Sequence, residues 1–328
     1  MSLILLGILA SVGLAVFFLT WTAGSTGGNY VYYGGIYANM TNAKWFFFGA
    51  SNTGTSINSY RYSTNGTTWT TGTLPASSKW GVVMYNGSRL VLAARAAQPN
   101  AAFYTDNGTT WTSVAFSQVG SATNTDGLYN GQAFIVVTNT ATGAIHYSYD
   151  GTGWAYFDDT QGASAIAWDG SSRYIRTPST STATYRTTTS NPLVALNWAN
   201  GTFPSAQAWT KISWGNGIWV AAVTNSTTYA TSTDGISWTA RTLPALIGNN
   251  AYSRIHFSMG RFYFFSHTAN VVYVSADGVN WTSYATGITA GSLVNATAYA
   301  DNGLDKMLIN GFASNETGPG LQMAVGAP

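Results

Sequence analysis

Short apolar runs, broken at close intervals by Asn-Gly and Asp-Gly, set the pattern of the chain. Residues 90–94, 134–137, 218–222, 262–265 and 306–309 are such runs. Each follows a tight turn: Tyr85-Asn86-Gly87, Tyr129-Asn130-Gly131, Gly215-Asn216-Gly217, Ser258-Met259-Gly260 and Asp301-Asn302-Gly303, with a sixth of the kind at Trp168-Asp169-Gly170. Short apolar segments bounded by turn residues read as strands. Asn-Gly or Asp-Gly between two of them reads as a type I′ hairpin, in which both central residues need positive φ. A looser hairpin over residues 37–48, turning near Thr41-Asn42, brings the expected number to seven.

A second phrase alternates with the hairpins. It runs Ser63-Thr64-Asn65-Gly66-Thr67-Thr68-Trp69, then Thr105-Asp106-Asn107-Gly108-Thr109-Thr110-Trp111, then Ser148-Tyr149-Asp150-Gly151-Thr152-Gly153-Trp154. Later copies hold Asp234, Gly235 and Trp238, and Asp277, Gly278 and Trp281; a degenerate one ends at Trp198 and has lost the Asp-Gly. The tryptophans at 69, 111, 154, 198, 238 and 281 are spaced 42, 43, 44, 40 and 43 residues apart. Two hairpin strands, a third ending in the phrase and a fourth opening at Trp make a four-stranded unit. Such a unit repeated every 40-odd residues is the mark of a β-propeller blade. Within the phrase, Asp or Asn is expected to accept backbone N–H groups, Gly to supply positive φ, and Ser or Thr to bond the backbone. Trp is expected to pack between neighbouring blades.

The phrase resembles the Asp-box, or BNR, repeat of sialidase-like propellers, with one residue fewer between Asp and Gly. That resemblance implies the propeller fold and raises the question of a sialidase site: three arginines, a Tyr nucleophile with a Glu partner, and an Asp acid/base. The only Glu is Glu316, in the terminal loop, and the arginines are scattered one or two to a blade. Those beside hairpin turns (Arg89, Arg173, Arg261) are expected to be solvated. The adjacent Asp158-Asp159 pair is expected to be solvated or to hold a cation rather than to hydrolyse a glycoside. His146, His256 and His267 show no metal-ligand spacing. The reading is therefore of no enzyme, no metal and no cofactor.

The expected fold is all-β: a seven-bladed β-propeller of four-stranded blades over residues 21–328, preceded by an apolar arm over residues 1–20. The last hairpin is followed by only one more strand, so its blade needs a fourth. Trp21-Thr22 repeats the dipeptide that opens fourth strands elsewhere and is expected to complete that blade, closing the ring; residues 30–33 are the alternative donor. Residues 3–19 are apolar apart from Ser11, which suits a buried assembly segment, a membrane anchor or a signal peptide. The opening seven residues resemble the start of many small bacteriophage structural proteins.

Composition narrows the function. Charged residues are 7%, against about 25% in an average domain, and the net charge is +2. This excludes a basic nucleic-acid surface and an acidic tail, and the absence of Cys excludes disulfides and thiol chemistry. Aromatics reach 15%, and Tyr and Trp rings stack on sugars. The expectation is an extracellular binding or structural module, in the first place a phage virion component such as a fibre or receptor-contact protein. Its partners would be other virion proteins through the arm and a host-surface glycan or protein receptor, with no nucleic acid and a possible homo-oligomer. The alternatives are a membrane-anchored bacterial surface propeller of lectin type and, more weakly, an Asp-box glycosidase. Loops near residues 96–100, 117–126, 177–184 and 311–320 are candidate contact surfaces.

Overall fold

The computed structural model describes residues 20–25, 30–51, 55–96, 101–115, 123–139, 143–159, 161–194, 197–245, 255–265, 271–285, 298–301, 307–311 and 322–327. The arm at residues 3–19, Arg254, His267 and Glu316 lie outside them, as do most of the candidate contact loops.

The described residues are nearly all strand or turn. Strand β1 (Thr20–Ser25) precedes the first unit, which holds β2 (Tyr30–Tyr37), β3 (Trp45–Ser51), β4 (Ile57–Ser63) and the start of β5 (Thr70–Tyr85). The far half of β5 opens unit two, with β6 (Leu90–Ala96), β7 (Ala101–Thr105) and β8 (Thr112–Ala115). Unit three holds β9 (Asn124–Tyr129), β10 (Phe134–Thr138), β11 (Ala144–Ser148) and β12 (Ala155–Asp158). Unit four holds β13 (Ala163–Trp168), β14 (Tyr174–Pro178), β15 (Thr182–Thr188) and β16 (Ala199–Gln207). Unit five holds β17 (Trp209–Gly215), β18 (Ile218–Val223), β19 (Thr228–Ser232) and β20 (Thr239–Thr242). Unit six holds β21 (His256–Ser258), β22 (Arg261–Phe265), β23 (Val271–Ser275) and β24 (Thr282–Ala285). The last sheet is β25 (Ala298–Asp301), β26 (Met307–Gly311) and β27 (Gln322–Ala327), with β1 on its outer edge. Trp21 stands opposite Gly326 and Thr22 opposite Val325 in an antiparallel register. Every pairing within the units is antiparallel between sequence neighbours, β1 with β27 excepted.

Burial follows the order of strands. Second strands such as β10 (FIVVT) and β14 (YIRTP) are buried at every position, and fourth strands such as β12 and β20 are largely exposed. A strand covered on both faces carries apolar residues on both, which is why the second strands read as unbroken runs. The core lies between units rather than within them. Phe46, Phe48 and Tyr60 of unit one pack with Trp80, Leu92 and Phe103 of unit two. Val82 and Val91 of unit two pack with Phe134 and Val136 of unit three. Ile135 and Ile145 meet Ile166 and Tyr174, Tyr185 and Phe203 meet Trp209 and Trp219, and Val220 and Tyr229 meet Phe262 and Phe264. First strands adjoin in succession: β25 with β2, β2 with β5, β5 with β9, β9 with β13, β13 with β17 and β17 with β21.

The hairpin turns differ from the type I′ expectation. Among the described residues, only Asn216-Gly217 and Met259-Gly260 have positive φ at both turn residues. At Asn86, Asn130 and Asp169 the loop runs two or three residues beyond the Gly, and the Asn or Asp stays at negative φ. Its side chain serves as an acceptor instead: Asn86 Oδ1 takes the N–H groups of Ser88 and Arg89, and Asp169 Oδ1 those of Ser171, Ser172 and Arg173. The longer loop relieves the second positive φ, and the carboxylate or amide satisfies the extra N–H groups.

Candidate functional site

The repeated phrase is a turn built on two acceptors. The Gly66 N–H donates to Ser63 Oγ at 2.8 Å, and the N–H groups of Thr67 and Thr68 both donate to Asn65 Oδ1 at 2.9 Å. Asn107, Asp150, Asp234 and Asp277 each accept two backbone N–H groups in the same way. Gly66, Gly108, Gly151, Gly235 and Gly278 have φ between 67° and 89°. At Gly108, Gly151, Gly235 and Gly278 the missing side chain also lets the turn sit on the preceding unit: a Cβ on Gly151 would be 2.8 Å from Val91 Cγ2, and one on Gly278 2.8 Å from Val220 Cγ2. The donors hold the carboxylates of Asp150 and Asp234 well below the usual range. Asp277 is pushed up by burial, but the N–H groups of Asn280 and Val279 outweigh this and bring it to about 2.

Of the tryptophans that end the phrase, Trp111, Trp154, Trp238 and Trp281 reach back to the previous unit. Trp238 donates its indole N–H to Tyr185 Oη at 3.0 Å, and Tyr185 donates to the Gly235 carbonyl at 2.8 Å. Trp281 and Tyr229 are joined at 3.3 Å, with Tyr229 donating to the Val279 carbonyl, and Trp111 stands edge-on to Tyr60, whose hydroxyl donates to the Gly108 carbonyl at 3.3 Å. Burial pushes the Tyr60 phenol up to about 12. Trp154 packs on the cluster shared by units two and three, and Trp69 lies 5.3 Å from Phe47. Trp198, in the degenerate copy, donates to the Pro192 carbonyl and carries the Arg176 guanidinium 4.5 Å over its ring. The tyrosine partners were not singled out in the sequence. Their signal is a Tyr three residues before the Ser or Thr of the phrase, 51 to 53 residues ahead of the Trp it meets.

The charged residues depart from expectation in three places. Arg89 is not a solvated turn residue: it grips Asp106 with two nitrogens at 2.7 Å, donates to the Asp150 carbonyl and covers the Tyr104 ring. Arg173 is half-buried and donates to Thr187 Oγ1. Asp158 and Asp159 do not act together. Asp158 is exposed, whereas Asp159 is buried and bound by both Arg176 and Arg186, a use that leaves it no place in a cation site. His146 is buried in its sheet, its ring 5.6 Å from that of Tyr156. Among the described residues no group of three or more His, Asp or Glu could hold a metal ion. Among them, too, no helix is long and apolar enough to cross a membrane.

The first strands form a half-open cavity of about 280 Å³, lined by β9, β13, β17 and β21 and by Arg95 at the end of β6. It is the place where the chain gathers unlike chemistry. Lys211 is only 2% exposed and Arg95 6%, yet both line it, together with Asp126 and His256. Arg95 Nη1 donates to the Thr125 carbonyl at 2.6 Å, and Asp126 Oδ2 accepts the Ile166 N–H at 3.2 Å. Trp168, Trp214 and Phe257 complete the wall. In the sequence His256 stood out only as a histidine without metal-ligand spacing and Asp126 only as the end of a contact loop, and Lys211 was not singled out. Their signal was a single charge inside an apolar first strand, Asp126 in one and Lys211 in another, in a chain where charge is scarce.

Successive four-stranded antiparallel sheets, packed face to face with their first strands inward, make this a β-propeller. Residues 195–308 match the family model described as the DUF6242 beta propeller domain. No curated protein sequence matches the chain. Solved structures are similar in fold at low identity. YCF48 bound to D1 peptide is 14% identical with a TM-score of 0.68, over 93% of this chain and 94% of that one. A catalytically inactive virginiamycin B lyase from Staphylococcus aureus with quinupristin is 12% identical with a TM-score of 0.71, over 95% and 100%. PorZ, a surface component of the type-IX secretion system of Porphyromonas gingivalis, is 12% identical with a TM-score of 0.63, over 92% of this chain and 37% of that one.

These likenesses correct the expectation that the protein is not an enzyme. The lyase shows that catalysis occurs on this scaffold, so a missing sialidase set does not remove it. Neither the family match nor these structures carry the Asp-box or phage assignment; what they support is the propeller itself.

Proposed function

We propose that the sheets form a closed seven-bladed ring and that the protein is a recognition module, holding part of a partner or ligand in its inner cavity. The observation that carries this reading is the cavity. Small sites of this kind join an apolar wall to a few convergent polar groups, and the first strands of four consecutive units supply both. The closed ring is supported by β1, which gives the last sheet its fourth strand. Engagement of a partner is supported by analogy of fold, since YCF48 was captured with a peptide and the lyase with quinupristin.

Turn-rich, cysteine-free, weakly charged sequence and the apolar residues 3–19 support a place on the outside of a phage particle, where the arm would be held by other virion proteins and the propeller would meet the host. Two measurements test this. Mass spectrometry of purified virions is expected to find the chain. Purified protein is expected to bind host cells, and Ser213→Trp, which fills the cavity, is expected to abolish that binding while leaving the fold intact by circular dichroism. Undiminished binding by the filled variant would refute the cavity as the site.

A further inference from the structure

Five Asn-Gly pairs stand in turns among the described residues: Asn65-Gly66, Asn86-Gly87, Asn107-Gly108, Asn130-Gly131 and Asn216-Gly217. An Asn before Gly can react with itself, because no Cβ on the second residue screens its nitrogen from the Asn side chain. Three atoms govern the reaction: the Gly nitrogen that attacks, the Asn Oδ1 that takes up charge, and the Asn Nδ2 that leaves.

Oδ1 is well placed in four of these turns. Asn65, Asn86, Asn107 and Asn130 each accept two backbone N–H groups there. Fixed donors of that kind steady a developing oxyanion. The other two atoms separate the turns. The N–H groups of Gly66 and Gly108 are committed to Ser63 Oγ at 2.8 Å and Thr105 Oγ1 at 3.0 Å, and both glycines are buried. Asn130 is buried and its Nδ2 donates to Tyr174 Oη at 2.9 Å. Asn216 Nδ2 donates to the carbonyls of Gly260 and Ala276 at 2.7 and 2.8 Å. At Asn86-Gly87, by contrast, neither the Gly87 N–H nor Asn86 Nδ2 makes a hydrogen bond among the described residues. Gly87 is exposed, with open space where a Cβ would stand.

We propose that Asn86-Gly87 is a self-modifying site, at which the chain loses the Asn86 amide without an enzyme. Water is the co-reactant. The Gly87 nitrogen gives its proton to solvent and its electron pair to Asn86 Cγ, while Oδ1 takes up charge between the N–H groups of Ser88 and Arg89. The Cγ–Nδ2 bond then breaks, ammonia leaves with a proton from water, and a succinimide ring remains. Water opens the ring at either carbonyl, giving aspartate or isoaspartate at this position. The isoaspartate route draws Cγ into the main chain and takes Oδ1 away from the two N–H groups. The loop it distorts ends at Arg89, which ties Asp106 of unit two to the Asp150 carbonyl of unit three. The change loosens the joint between these units and marks the age of the molecule.

Warming the full chain in mildly alkaline buffer, with peptide mapping by tandem mass spectrometry, tests this. Trypsin cuts after Lys79 and Arg89, and residues 80–89 hold Asn86 as their only Asn. Asn86 is expected to lose its amide about tenfold or more faster than Asn65, Asn107, Asn130 or Asn216. In urea the five rates are expected to converge, since the neighbours no longer hold the reacting atoms. Native rates within about twofold of one another would overturn the site. The same lead for Asn86 in urea would overturn the role of the fold in choosing it. Asn302-Gly303 lies outside the described residues and outside this comparison. Protein fully converted at Asn86 is expected to unfold at a lower urea concentration than fresh protein; an unchanged midpoint would overturn the loosening of the joint.

Discussion

Asp159→Asn tests the charge balance between units three and four. Asp159 directly follows β12, and Arg176 and Arg186 stand opposite one another on β14 and β15. Arg186 binds the carboxylate through Nη2 at 2.9 Å and Nε at 3.2 Å, and Arg176 binds it through Nη2. Burial, and then the neighbouring Arg186 charge, press the Arg176 guanidinium toward its neutral form. The Asp159 carboxylate is what opposes them. Nε and Nη1 of Arg176 have no hydrogen-bond partner among the described residues, so besides the face of the Trp198 ring the carboxylate is the group that offsets the charge. Asparagine keeps the shape and removes the charge, leaving two cations against an amide. Breaking a buried pair from one side costs about 3–5 kcal/mol. With an unfolding entropy near 2.1 cal/mol/K per residue over 328 residues, that is a fall in Tm of about 4–7 °C. Calorimetry of the wild type, Asp159→Asn, Arg176→Met and the double variant gives both the loss and the coupling. A fall in Tm of less than about 1 °C, or additive losses in the double variant, would refute the claim that the carboxylate holds the two arginines together.

Tyr185→Phe orphans the Gly235 carbonyl and the Trp238 indole N–H and is expected to cost about 2–3 kcal/mol in urea titration, against about 1 kcal/mol for Tyr229→Phe, whose bonds are longer; the reverse order would count against the staple. Stability is expected to be flat between about pH 4 and pH 10. Below that range it falls, because the depressed carboxylates of Asp106, Asp150, Asp234 and Asp277 must be protonated as the pH drops toward 2. Above it, stability falls because phenols ionise in the unfolded chain while Tyr60 is held neutral to about 12; urea midpoints across the range check both arms. Asp234→Asn is expected to stay within about 0.5 kcal/mol of wild type at pH 7, since Asn65 and Asn107 make the same bonds, and to soften the acid decline; a large loss at pH 7 would show that the charge itself matters. Deleting residues 1–29 removes β1 and is expected to lower the urea midpoint and cause association through the bare edge of β27, seen by light scattering; an equally stable monomer would refute the role of that strand.

The units were legible in the sequence because their marks are local. Asp234 and Gly235 form a turn with atoms a few residues apart, and the same phrase recurs often enough to show its period. The partner of each Trp is not local. Tyr185 meets Trp238 only because consecutive sheets pack face to face, and the register of that packing cannot be read from either strand alone. Asp159 misled for a related reason. Beside Asp158 it looked like half of a pair, yet the chain turns it toward arginines 17 and 27 residues further on. Arg89 likewise looked like a surface charge beside a turn until the next unit's Asp150 came within its reach. The cavity was least legible of all. It is assembled from one or two residues of each first strand, and Lys211 or Asp126 taken singly is one unusual position in an apolar strand.

The pairing of β1 with β27 has a consequence for how the molecule is made. Thr20 and Ala327 are paired although 307 residues separate them in the sequence. On a ribosome adding about 5–20 residues each second, the earlier strand waits roughly 15–60 s for its mate. The intervening sheets can dock as they emerge, since each contacts the one before it. The pairing of β1 with β27 cannot, and its search spans about 300 residues, the slowest kind of contact to establish. A nascent neighbour on the same message carries an identical waiting strand. The step that gives the last sheet its fourth strand is therefore also the one at which two copies can exchange β1.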